Sequence, residues 1–154
     1  MQAVGIAPIH DLAEWQRVLD YHQALFAETS RGASIGFILR YHASADGAKR
    51  AVITPVSEPM PMLVWERSDG RVVARDRVFH GLNGVSVDLL FVAKDSALDA
   101  VLARAGENPF GELKRQIRAA RIQLFVMRTR PELQALGYED FLECLGLAFL
   151  GPCR

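Results

Sequence analysis

Four residues of this chain have the types and spacing to handle a small anion. Arg75 and Arg77 are two positions apart, so an extended strand turns both guanidinium groups to one face. His80 follows in what reads as a turn, and Asp88 lies on the next apolar run. Two cations beside a histidine could bind a carboxylate or phosphate, and a histidine within reach of an aspartate could move a proton. If Val85, Val87, Leu89 and Phe91 face inward, Asp88 faces outward. A turn over 79–85 then sets it opposite Asp76 or Arg75, and these charges read equally as an exposed cross-strand ion pair. Arg75, Arg77, His80 and Asp88 form the candidate ligand site of one reading: a small-molecule domain for an anionic or acyl ligand, or a minor enzyme.

A second pattern points to a partner. Lys114, Arg115, Arg118 and Arg121 fall on one side of a helical repeat, and the stretch from Arg104 to Arg130 holds seven basic residues against two acidic ones. No aromatic residues interleave with them, which argues against nucleic acid. Downstream, the run from Phe141 to Leu150 is apolar nearly all round, so as a helix it must be covered on both sides, by the rest of the fold or by another subunit. The leading expectation is therefore non-catalytic: an accessory or adaptor protein that binds another protein, possibly as a homodimer. Phe141, Leu145 and Phe149 would make the apolar contact, and Arg115 and Arg118 the polar one.

Other chemistry has no motif to rest on. The histidines, His10, His22, His42 and His80, are scattered without metal-ligand spacing, and the cysteines, Cys144 and Cys153, do not form a Cys-x-x-Cys pair. No phosphate loop, dinucleotide fingerprint or nucleophile elbow is present, so neither a cofactor nor a metal is expected. Cys144 follows acidic residues in an apolar run, the opposite of the setting that activates a thiol. Lys plus Arg and Asp plus Glu are 18 each, so no net field steers the molecule toward nucleic acid or acidic lipid. Neither a signal peptide nor a membrane span is expected, and two reduced cysteines suit the cytoplasm.

These residues need a scaffold, and the chain of 154 residues, half of them hydrophobic, is the size of one domain over 1–154. Asp11, with Glu14 three residues on, predicts a capped helix over 11–27. Period-two alternation predicts a strand over 33–42, with Ile35, Phe37, Leu39 and Tyr41 on one face. Asp46-Gly47 suggests a hairpin into a strand over 50–54, and Pro55, Pro59 and Pro61 argue against a central strand. A second hairpin pairs 62–67 with 71–79 around Ser68-Asp69-Gly70, and 85–92 follows, extending an antiparallel meander. Ser96 and Asn108 open two helices, and a strand over 122–128 comes back parallel if a helix connects it. Thr129 with Glu132 caps a short helix that Gly137 ends, and residues 138–150 make a last one. The expected fold is a single α+β domain. A mixed, mainly antiparallel sheet of about six strands is packed by an N-terminal helix and C-terminal helices.

Overall fold

In the computed structural model, residues 8–39, 59–82 and 84–147 are described. Asp11 caps the first helix as its spacing predicts, its carboxylate accepting the Glu14 N–H at 3.3 Å. This helix, α1, runs Leu12–Tyr21 and buries Trp15, Val18 and Leu19. The predicted single helix breaks at His22, and a 3-10 turn continues over Gln23–Phe26. Strand β1 (Ser34–Leu39) follows. The hairpin of β2 (Met60–Arg67) and β3 (Val72–Phe79) closes where Gly70 adopts a φ of +73°, which its lack of a Cβ permits. Then come β4 (Leu89–Ala93), α2 (Asp95–Leu102), α3 (Pro109–Arg118), β5 (Ile122–Val126), α4 (Arg130–Leu136) and α5 (Glu139–Cys144). Asn108 caps α3 through the Gly111 N–H, and Thr129 and Glu132 form the predicted capping box on α4. At α2 no side chain caps the helix, although Ser96 suggested one.

The chain makes a mixed α+β fold whose described sheet has five strands in the order β3-β2-β1-β4-β5. This corrects two expectations. The third hairpin neighbour is not β4: β3 is an edge, and β4 lies beside β1, parallel to it. Turn spacing gives the sign of a hairpin but cannot say when a chain leaves the edge and crosses to the other side of the sheet. Likewise β5 returns antiparallel to β4, not parallel. One helix would carry the chain back to the start of β4; two helices, α2 and α3, carry it back and then forward again. The hairpin expected at Asp46-Gly47, the strand over 50–54, and most of the proline-rich stretch lie outside the described residues. Pro61 does lie in a strand inside the sheet, but past the end of the β1 ladder at Phe37–Leu63, where its missing N–H breaks no bond to β1.

The outer edge of β3 is closed by side chains. Val72 and Ala74 direct their backbone groups away from β2. Gln23 accepts the Val72 N–H at 3.0 Å and donates to the Val72 carbonyl at 3.2 Å. Gln16 accepts the Ala74 N–H at 2.8 Å and also donates to the Val72 carbonyl. Two glutamines, one on α1 and one in the 3-10 turn, thus satisfy the first part of an edge that would otherwise be open to another chain.

All the described helices that pack on the sheet do so on one face. Its core is aromatic: Phe37 lies 4.5 Å from Trp65 and 5.0 Å from Phe91 between ring centroids, with Trp15, Phe26, Phe110 and Phe141 around them. The alternate residues of the same strands, Ile38, Met62, Val64, Leu90 and Val92, build a second cluster on the opposite face. No helix among the described residues is long and apolar enough to cross a membrane.

Candidate functional site

The second face holds a cleft of about 230 Å³. It exists because of the route from β3 to β4. That connection must pass β2 and β1, and its Val85 and Val87 pack against the second cluster on the way. Between it and the sheet lies the cleft, with Met62, Val64, Val85 and Val87 as an apolar floor and Ser34, Glu66, Arg77, His80 and Ser86 as polar wall. The connection turns at Gly81 and Gly84, with φ of +120° and +86°, a backbone shape that side-chain-bearing residues rarely take.

Arg75 and Arg77 do share a face, as their spacing requires. Register then adds a residue the sequence did not single out. Glu66 projects from β2 on the same face, and one of its carboxylate oxygens accepts both Arg75 Nε at 2.9 Å and Arg77 Nη2 at 3.3 Å. Two cations share one anion, leaving the mouth of the cleft one positive charge in excess. All three side chains are between one-third and one-half exposed, so their mutual attraction adds little to stability. Arg77 and His80 line the cleft; Arg75 reaches it only through Glu66.

Asp88 does not join them. The strand begins at Leu89, four residues later than the predicted start at Val85, and Asp88 is buried just before it. Its Oδ2 accepts the Ser34 N–H at 3.0 Å and the Tyr138 hydroxyl at 2.7 Å, and its Oδ1 accepts Arg128 Nε at 2.7 Å. Burial, followed by the hydrogen bond to Asp88, pushes the Tyr138 hydroxyl far above the ordinary tyrosine range. Hydrogen bonding to Asp88, and next its charge, raise the Arg128 guanidinium as well. Neither a cross-strand ion pair with Arg75 nor a proton relay with His80 is formed. The reason is topological, since two strands separate β3 from β4. Asp88 instead ties β1, the end of β5 and the α4–α5 junction together, and it anchors Ser34 at the wall of the cleft.

His22 sits edge-on to Phe110 with centroids 5.0 Å apart, and burial lowers its pKa. Burial raises the Cys144 thiol, in keeping with an unreactive cysteine. No group of three or more potential metal ligands occurs among the described residues.

The residues expected to bind a partner are placed otherwise. Phe141 and Leu145 are 0% and 2% exposed in the aromatic core, against Phe26, Phe91 and Phe110. The last helix is only six residues long, ending before Gly146 at φ +75°, and Phe149 lies outside the described residues. An apolar run near the end of a chain gives no sign of whether its own fold or another molecule covers it; Phe141, Leu142 and Leu145 are covered by their own fold. Arg115 and Arg118 are exposed on α3, and Arg115 lies 3.5 Å from the buried Glu112.

No protein-family model matches the chain, and no curated protein matches it. Solved structures similar to it include one described as "UbiJ-SCP2 Ubiquinone synthesis protein". It is 13% identical over 98% of this chain and 100% of that one, with a TM-score of 0.40. Another is the solution structure of a conserved hypothetical protein, "possibly sterol carrier protein", from Thermus thermophilus. It is 14% identical over 99% of this chain and 94% of that one, with a TM-score of 0.43. With Phe141 and Leu145 in the core, the apolar contact expected of an adaptor is not on offer, and that expectation is corrected.

Proposed function

We propose that this chain binds a small amphiphilic anion in the cleft between the β2–β3 hairpin and the connection over 80–87. The observation that carries this reading is the arrangement of its lining. An apolar floor of Met62, Val64, Val85 and Val87 lies beside Arg77 and His80, with a second arginine held against the shared Glu66. Apolar side chains beside a few convergent polar groups are what a small-molecule site is built from, and here the polar groups make up the larger part of the cleft surface. The anionic group meets Arg77 and His80, and the apolar body covers the floor. A cytoplasmic location goes with this reading, supported by only two cysteines in the chain, Cys144 and Cys153.

The test is an amide chemical-shift titration with hexanoate. Saturable shifts at Arg77, His80, Val85 and Val87 are expected, with at least a tenfold loss of affinity in Arg77→Gln, about the size of one charge-assisted hydrogen bond. Shifts confined to another part of the molecule, or an Arg77→Gln variant that binds as the parent does, would overturn the proposal.

A further inference from the structure

The dimensions of the cleft bear on what its ligand can be, and the following rests on the binding reading above. About 230 Å³ is less than the roughly 300–1,000 Å³ of sites that enclose drug-sized ligands. The floor has no depth in reserve either. Beneath it runs the β1 backbone at Gly36, and a Cβ placed there would stand 3.0 Å from the Met62 sulfur and 3.2 and 3.3 Å from the two Val87 methyl groups. Met62 and Val87 therefore close down on a glycine, and they do so only because no side chain is there. Beside them Ile38, Leu90 and Val92 are themselves buried, so among the described residues the cluster offers no slot into which a long chain could thread.

We infer that the site is one for compact carboxylates, short-chain or similarly small. Arg77 and His80 take the head, the floor covers the first few carbons, and anything longer extends into water. A sterol-sized or long-acyl body gains nothing from its extra surface here. The argument is one of area: each methylene group that leaves water strengthens binding by about fourfold, and one that stays in water does not.

The experiment is a homologous series on the unmodified protein, comparing acetate, hexanoate and dodecanoate below their micelle concentrations by isothermal titration calorimetry. Hexanoate is expected to bind at least tenfold more tightly than acetate, and dodecanoate within about threefold of hexanoate. A site that takes the whole chain would separate hexanoate from dodecanoate by more than a thousandfold, on the order of fourfold for each of the added methylenes. That result would overturn the size limit and leave the binding reading standing. Acetate binding as tightly as hexanoate would also overturn it, because the floor would then take no part. No binding by any of the three would remove both.

Discussion

On one face of the sheet, Phe37, Trp65 and Phe91 stack ring against ring beneath helices that add Trp15, Phe26, Phe110 and Phe141. On the other, the sheet presents Gly36, Ile38, Met62, Val64, Phe79, Leu90 and Val92, crossed by the 80–87 connection and bordered by Glu66, Arg75 and Arg77. The first face is filled mainly by large planar side chains. The second is mainly aliphatic where the 80–87 connection crosses it, and there it keeps a cleft. The difference teaches that a strand buried on both sides can serve two ends, one face holding the fold and the other holding space for a ligand.

Four changes probe that contrast, the largest first. Trp65→Ala removes a side chain that is 1% exposed at the centre of the aromatic face, and it is expected to cost about 3–5 kcal/mol in urea unfolding. Val64→Ala, one residue earlier and facing the cleft, is expected to cost only roughly 1–2 kcal/mol. Equal losses would mean that both faces carry the fold alike.

Tyr138 gives a middle-sized effect with a pH signature. Its folded pKa is raised above the ordinary value of 10.0, so the unfolded chain loses this proton at a pH where the folded one keeps it. The stabilisation is complete below pH 10 and declines as pH rises beyond it, by about 1.4 kcal/mol per unit for this one group. Thermal melts from pH 9 to 11 should show that decline, and Tyr138→Phe should flatten this part of it. Tyr138→Phe also loses the hydrogen bond to Asp88, at a cost near neutral pH of about 1–2 kcal/mol. An unchanged alkaline slope in the variant would show that the clip around Asp88 is not what holds this proton.

The smallest effect is expected at the cleft mouth. Glu66 competes for Arg75 and Arg77 with any incoming anion. Glu66→Gln should tighten hexanoate binding by about three- to tenfold, with stability changed little. Calorimetry on the two proteins decides it, and weaker binding in Glu66→Gln would mean that Glu66 orients Arg77 more than it competes for it.

Much of this molecule could be read locally. The caps at Asp11, Asn108 and Thr129, the stop at Gly137 and the turn at Gly70 rest on side-chain chemistry acting over three or four residues, and each is found where its spacing put it. The common face of Arg75 and Arg77 follows from the pleat alone. The Met62 and Val64 half of the cleft floor was within reach too, since alternation sets them opposite Leu63 and Trp65, but nothing local marks which face of a doubly buried strand is left open.

The sequence by itself determined most of the elements, the caps at Asp11, Asn108 and Thr129 and the side of the strand from which two arginines project, because those depend on neighbours along the chain. Only the tertiary structure decided that β4 sits beside β1, that Asp88 is turned inward to Tyr138 and Arg128, and that Phe141 and Leu145 are core. It alone brought Glu66 to the two arginines and laid the 80–87 connection over Met62 and Val64. Strand order, and with it the cleft, is set by the burial of surfaces far apart in the chain, and periodicity carries no record of which distant surfaces meet.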